Sequence, residues 1–382
     1  MKLAFVVSFW FPFGGMQRTL LRIARACVAE GHQVDVYTGE WRGDRPEGIG
    51  VFELNTRAPS NHASNDRLAR AFAVAVDGKD YDCRVGFTKI PGLDVYYAAD
   101  PCYAARVDEN KPFFYKWWTR YKALFRQERA VFGRGNDTEV MLIAHQERDR
   151  FVRYHDTEAE RLHLLPPGIN RQSLVSGDAA ADRARLRAEF GLSDDTLVLL
   201  CVGSGFRTKG VDRVIRAMAS LPETLRARCH LLVVGRGKAG PLQRLAKQRG
   251  IADQIDFAGT REDIAAFYRA ADCLLHAARS ENTGTVLIEA MICGLPVLTT
   301  GNCGFAFHVL EADAGMVVYE PFDQAALNQV LSRFLQSPRR DVWRANGPAY
   351  CASTDLYSLI ERAAELIIQR AERNRERHAE GA

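Results

Sequence analysis

The stretch Ser280-Glu281-Asn282-Thr283-Gly284-Thr285-Val286-Leu287-Ile288-Glu289-Ala290 decides how the rest of the chain is read. Two carboxylates, Glu281 and Glu289, stand either side of a small, polar, glycine-containing step that runs into an apolar helix. Upstream, Asp272-Cys273-Leu274-Leu275-His276 predicts a short buried strand, and downstream Gly294-Leu295-Pro296-Val297-Leu298 predicts the next. Strand, turn, helix start and strand make half of an α/β ligand site. The first amides of such a helix lack partners and the helix dipole is positive there, so the turn attracts an anion. The flanking acids are poorly placed to bind that anion themselves. They are well placed to accept hydrogen bonds from hydroxyls on either side of it. A phosphate between a sugar and a ribose fits, which is the shape of a nucleotide-sugar.

Outward from this stretch, the same alternation continues in both directions. Leu3 to Ser8 is a continuous apolar run, as a strand covered on both faces requires. The loop Phe11-Pro12-Phe13-Gly14-Gly15 then opens a helix from Met16 to Glu30, and Gln33 to Thr38 is the second strand. This βαβ unit sets a right-handed, parallel, doubly wound topology. Ile49–Leu54, Cys83–Phe87, Val95–Ala98, Val140–Ala144 and Leu162–Leu165 predict further strands. Pro166-Pro167-Gly168 reads as a hinge, after which a second βα series begins with the strand Leu197–Val202. The expected architecture is α/β, two Rossmann-like domains facing across a cleft. Residues 1–167 form the first, 168–350 the second, and 351–382 a helix returning to the first domain plus a polar tail. Helical patterns cover about 323–336 and 354–371, and Arg370 to Ala382 is expected to fray.

Bulk composition fits this scheme. At 382 residues the chain is too long for one ordinary core. With 47% apolar and 26% charged residues it has a soluble globular composition, and a net charge of +4 implies no nucleic-acid partner. Nine cysteines lie singly, with no C-x-x-C pair, which argues against a zinc site or a disulfide framework and fits reduced thiols in the cytosol. Lys2 and the apolar run after it imitate a signal peptide. No small-residue cleavage site follows, so a first buried strand is the better reading. Nowhere is there an apolar stretch of about eighteen residues, so no spanning helix is expected.

Three loops and one strand end add candidate chemistry. Cys201-Val202-Gly203-Ser204-Gly205-Phe206-Arg207-Thr208-Lys209-Gly210 starts like a dinucleotide fingerprint but has Thr208 at the third glycine, and it fails the P-loop pattern. What remains is a glycine turn presenting Arg207 and Lys209, suited to hold a diphosphate and stabilise its charge as it leaves. The competing reading is a solvated basic loop. Gly14-Gly15 follows the first strand, at the carboxyl end of the sheet where ligands bind. Gly259-Thr260-Arg261 follows another strand and is a weaker candidate for a base or phosphate pocket. Asp100, ending Tyr96-Tyr97-Ala98-Ala99, is placed either to take a proton from an acceptor hydroxyl or simply to cap the turn before Pro101. His145 and His276 are read as structural histidines.

Taken together, the spacing of Glu281 and Glu289, Gly14-Gly15, Arg207 with Lys209, and Gly294-Leu295-Pro296-Val297 resembles the retaining glycosyltransferases of family 4. Within them, Phe11-Pro12-Phe13-Gly14-Gly15-x-Gln17-Arg18, Pro91-Gly92-Leu93-Asp94-Val95-Tyr96, Leu165-Pro166-Pro167-Gly168-Ile169 and Asp355-Leu356-Tyr357-Ser358 look like the lipopolysaccharide core glucosyltransferases of Gram-negative bacteria. The resemblance spans essentially the whole chain. It implies a GT-B fold, no metal or other cofactor, and transfer of a hexose from a UDP-sugar, UDP-glucose by preference, to an inner-core heptose of lipopolysaccharide, with retention. By residue it implies that Glu281 holds donor sugar hydroxyls and Glu289 the ribose, while Arg207 and Lys209 hold the diphosphate. Asn282, Thr283, Gly284 and Thr285 complete the donor loop, Gly15 lets the first domain's backbone approach the donor, and Asp100 serves acceptor positioning or proton handling. Thr19, Phe307 and Ala277 depart from the family pattern near the expected sites.

One segment reads independently of that resemblance. Lys111 to Phe132 carries six cations against the single acid Glu128, a local charge of +5, interleaved with aromatic residues. Phe113, Trp117, Tyr121, Leu124 and Glu128 recur at helical spacing, so one amphipathic helix is predicted. Phe113, Trp117, Trp118 and Tyr121 beside Lys116 and Arg120 describe contact with an anionic membrane surface. The competing reading is a core helix with a solvated basic face. A lipid-anchored acceptor requires such contact, so the expected location is the cytoplasmic face of the inner membrane, held peripherally, with no nucleic acid and no obligate protein partner. The alternatives are a UDP-sugar transferase, epimerase or hydrolase of the same fold with a soluble substrate, and a non-enzymatic sugar- or membrane-binding protein.

Overall fold

Short runs of valine, leucine and isoleucine form parallel strands buried on both faces, and glycine- or proline-bearing loops carry the chain from each strand into the next helix. The computed structural model describes residues 1–12 and 14–380. Phe13 of the first loop, with Gly381 and Ala382 of the polar tail, lies outside the described residues. The chain divides into two compact units, Met1–Pro166 with Ser358–Ala382, and Pro167–Tyr357.

The first unit holds β1 (Lys2–Val7), β2 (Gln33–Thr38), β3 (Gly50–Glu53), β4 (Cys83–Gly86), β5 (Val95–Ala98), β6 (Glu139–Leu142) and β7 (Leu162–Leu164). They form one parallel seven-stranded sheet in the order β3-β2-β1-β4-β5-β6-β7. The order reverses between β1 and β4, so a crevice opens beyond their carboxyl ends, where the residues after Val7 and after Gly86 lie. Helices Gly15–Ala29 and Leu359–Glu380 cover one face through Leu20, Ile23, Ala363 and Ile367. Helices Asn61–Val76, Thr119–Phe132 and Gln146–His155 cover the other through Leu68, Phe72, Phe132 and Phe151.

The second unit repeats the scheme with β8 (Leu197–Val202), β9 (Cys229–Val234), β10 (Ile255–Gly259), β11 (Cys273–His276), β12 (Val297–Thr300) and β13 (Gly315–Val318). The sheet is again parallel, in the order β10-β9-β8-β11-β12-β13. Its reversal falls between β8 and β11. The loops after those two strands carry Arg207 and Lys209 on one side and Glu281 on the other.

Three expectations are corrected. The tail does not fray at Arg370: helix Leu359–Glu380 continues to the end of the described chain. Its polar face is held by the first unit's acids, with Arg370 and Arg377 on Asp137, Arg373 on Glu139 at 2.9 Å, and Asn374 on the Asp82 carbonyl at 2.9 Å. The boundary placed at residue 350 falls inside helix Arg340–Ser353, which packs on helix Thr285–Ile292, so that helix belongs to the second unit. The segment 111–132 is not one helix. A 3-10 turn at Phe113–Trp117 precedes helix Thr119–Phe132, with Trp118 extended between them. Glu128, the single acid in that segment's charge count, is fully buried.

Candidate active site

In the second unit, the loop after β8 turns through three glycines with positive φ, Gly203, Gly205 and Gly210. This tight path leaves Arg207 exposed and brings Lys209 back toward the end of β11. Arg279 fastens the two loops together. Its amide donates to the Thr208 carbonyl at 2.8 Å, and its guanidinium grips the Arg207 carbonyl at 2.8 Å and Asp212 at 2.6 and 2.8 Å. Asp212, between Arg279 and Arg216, is desolvated but so well paired that its pKa falls to about 2.

The loop from β11 to helix Thr285–Ile292 is clamped from its other side. Gly304 donates to the Glu281 carbonyl at 3.1 Å and Phe305 to the Thr283 carbonyl at 2.7 Å. Gly284 takes φ +93°, and a Cβ there would stand 2.3 Å from Cys303 Sγ, so only glycine fits. Inside this clamp Glu281 forms an ion pair with Lys209, and His276 Nε2 lies 3.4 Å from the same carboxylate oxygen. Burial alone would raise the Glu281 pKa; His276 and Lys209 outweigh it and hold the carboxyl below its ordinary value. Glu289, about one turn into helix Thr285–Ile292, accepts the Tyr268 hydroxyl at 2.8 Å. Desolvation dominates there, and its pKa rises despite the Tyr268 and Thr285 hydroxyls. The two acids therefore differ in kind: Glu281 is a held anion, Glu289 an enclosed acceptor.

The structure thus brings Lys209, Glu281, Thr283, Gly284 and Thr285 to one crevice, with Asn282 half-buried between them. Arg261 is otherwise engaged: it clamps Glu189 at 2.6 Å and Asp263 at 2.9 Å and stacks over Phe267. Gly259 is exposed, with φ +69°. His276, Tyr268, Arg279 and Asp212 were not singled out for chemistry. Only His276 carried a usable signal, as the last residue of the strand that leads to Glu281.

In the first unit a separate cavity of about 350 Å³ opens beside the carboxyl ends of β1 and β4. Its wall carries Asp100, Lys89 and Arg106 with the polar Asn65 and Gln127 and the aromatic Phe9. Behind it, buried Glu128 pairs with Lys89, accepts the amides of Tyr103 at 2.8 Å and Ala104 at 3.0 Å, and meets His155 at 2.9 Å. Cys102, Glu128 and His155 are close enough together to hold a cation, but the Lys89 ammonium already supplies the positive charge there. Gly15 begins helix Gly15–Ala29, and a Cβ on it would meet nothing within 4 Å. Phe113, Trp117 and Trp118 are 75%, 70% and 56% exposed, Lys116 pairs with Asp108, Arg120 is exposed, and Tyr121 is half-buried against Phe125. No helix among the described residues is long and apolar enough to cross a membrane.

Residues 182–350 match the family model for glycosyl transferases group 1, and residues 13–173 that for glycosyltransferase family 4. The chain is 42% identical to the lipopolysaccharide glucosyltransferase WaaG of Escherichia coli K12, across 96% of this chain and 98% of that one. A crystal structure of WaaG superposes with a TM-score of 0.85 at 42% identity, covering 96% of this chain and 99% of that one. Anabaena HepE, solved in complex with UDP-glucose, shares the fold at a TM-score of 0.71 and 18% identity, over 97% and 100% of the two chains.

Proposed function

The chain belongs to the family 4 glycosyltransferases of GT-B fold, and from that footing we propose that it moves glucose from UDP-glucose, with retention at the anomeric carbon, onto an inner-core heptose of lipopolysaccharide. The observation that carries this is the held carboxylate of Glu281, poised at a clamped helix start between Lys209 and a buried histidine. An ionised carboxylate in a crevice accepts hydrogen bonds from sugar hydroxyls and gains strength from the low dielectric around it.

In this reading Glu281 binds hydroxyls of the donor sugar and Glu289 those of the ribose. Lys209 and exposed Arg207 take the diphosphate, with amides of Thr283 to Thr285 at the helix start adding partial positive charge. These cations neutralise the charge that grows on the leaving UDP, so the chemistry asks for no metal. Nothing in the first unit's own packing demands glycine at 15, which fits a backbone kept bare for the donor. The cavity beside Asp100 receives the acceptor heptose, with Asp100 positioning its hydroxyl. The exposed Phe113, Trp117 and Trp118 with Lys116, Arg120 and Tyr121 rest on the anionic inner-membrane surface that carries the lipid-anchored acceptor.

A panel of UDP-sugars offered with heptose-containing lipid acceptors, scored for UDP release and product configuration, tests the reading. UDP-glucose is expected to give the retained glucoside, and a different preferred sugar would replace the donor assignment. Glu281→Ala is expected to lower turnover on the order of a hundredfold while UDP still binds. Normal turnover in that variant removes the donor-site assignment.

A further inference from the structure

Lys209 and His276 converge on one atom. The ammonium of Lys209 is paired with Glu281 Oε2, and His276 Nε2 stands 3.4 Å from that same oxygen. The histidine side chain is only 1% exposed, and its Nε2 has no hydrogen-bond partner. A buried imidazole nitrogen held at the far edge of hydrogen-bonding reach is costly, because the group has left water and gained little in exchange. Here the missing partner is already in reach, but Lys209 holds it.

We infer that His276 is a positioning residue that takes over Glu281 when the donor diphosphate draws Lys209 away. This inference rests on the proposed roles of Lys209 and Glu281. The diphosphate carries more charge than one carboxylate, so Lys209 moves to it on donor binding. That move alone would leave a largely buried carboxylate without its counter-charge, which is expensive. His276 removes the penalty by donating its Nε2–H to Oε2, which fixes the carboxylate's orientation and leaves the remaining lone pairs for the sugar hydroxyls. Lys209 thereby partners Glu281 before the donor binds, and His276 partners it afterwards.

His276 ends β11 among Cys201, Val202, Val211, Val233 and Leu275, and Lys209 is the one cation in that group. From the β12 side the titratable neighbour of Glu281 is Cys303, whose thiol is pushed up to about 12 by burial and so stays neutral. Arg279, two residues before Glu281, is committed to Asp212. No other charge competes for the hand-over among these groups.

The test measures UDP and UDP-glucose binding by calorimetry, and turnover, on the full chain. In the parent protein UDP-glucose is expected to bind more tightly than UDP, and Glu281→Ala is expected to erase that difference. His276→Ala should leave UDP affinity within about twofold, lower the UDP-glucose preference and kcat about tenfold or more, and His276→Gln, which keeps an N–H near the same place, should restore most of both. Should Glu281→Ala leave the preference intact, the donor reading itself fails. Should Glu281→Ala erase it while His276→Ala leaves both the preference and kcat unchanged, the hand-over alone is overturned. Loss of UDP binding in His276→Ala would mark a misfolded variant, and the parent protein then decides. With histidine labelled at its ring nitrogens, UDP addition is expected to shift the His276 Nε2–H resonance into the hydrogen-bonded range, and an unmoved resonance overturns the inference.

Discussion

Tyr268 donates its hydroxyl to Glu289 at 2.8 Å, joining helix Ile264–Ala270 to helix Thr285–Ile292. Burial raises the Glu289 pKa, and this hydroxyl is the first of two that pull it back down. Tyr268→Phe removes that pull, so the carboxyl rises further and is protonated at a higher pH than in the parent. A ribose held by the ionised form then binds less well as pH falls. The expected outcome is a KM for UDP-glucose raised about three- to tenfold with kcat little changed, and an acid limb of kcat/KM displaced upward in pH. If KM and the acid limb both stay put, Glu289 does not hold the ribose.

The two sheets were legible because their strands are apolar on both faces and their helices begin at glycine turns. The first helix and the strand–helix–strand around Glu281 both follow from that pattern. β13 escaped because Gly315-Met316-Val317-Val318 is too short to show a period, and helix Asn61–Val76 because its buried stripe is only Leu68, Phe72 and Val76. The last helix was misjudged for a different reason. Its arginines look solvated in sequence, yet Arg370 is 4% exposed because Asp94 and Asp137, at the entries to two distant strands, close over it. Glu128 repeats the lesson. Local charge counting cannot see partners that lie far along the chain, and neither could it see that Lys209 and His276 share one oxygen.

Gly284 tests the clamp on the donor loop. An alanine there meets two obstacles, a φ of +93° and Cys303 Sγ at 2.3 Å. The helix start must shift, and with it the amides offered to the diphosphate. Gly284→Ala is expected to weaken UDP binding at least tenfold, by calorimetry, with a loss of about 1–3 kcal/mol in stability. Adding Cys303→Ala removes the side-chain clash but not the backbone strain, so the double variant should regain only part of the affinity. Full affinity in the single variant would show that the loop is free to move without cost.

The aromatic segment separates membrane contact from packing. Phe113, Trp117 and Trp118 contribute little to the core, since more than half of each is exposed. Replacing Trp117, Trp118, Lys116 and Arg120 by Ser should therefore leave the melting temperature nearly unchanged. Sedimentation with vesicles containing anionic lipid should fall markedly, and added salt should weaken the binding of the parent protein. Vesicle binding that survives the four substitutions would place the membrane contact elsewhere on the protein.

Glu128 links acid stability to the cavity of the first unit. Desolvation alone would raise its pKa, but Lys89, the His155 contact and the Tyr103 amide together lower it from 4.5 to about 2. A carboxyl depressed in the folded state stabilises the fold above its unfolded pKa. That contribution is lost as pH falls from about 4.5 toward 2. Glu128→Gln keeps the shape but strands the Lys89 ammonium, so it should cost about 3 kcal/mol at neutral pH, read by denaturant unfolding. The gap between variant and parent should narrow steadily through the acid window. Lys89 also lines the cavity beside Asp100, so the freed ammonium would tighten on the oxygens of any ligand bound there. The acceptor KM of Glu128→Gln should change while the UDP-glucose KM does not. A variant whose stability gap is flat across that window would show that Glu128 is not held as an anion behind the cavity.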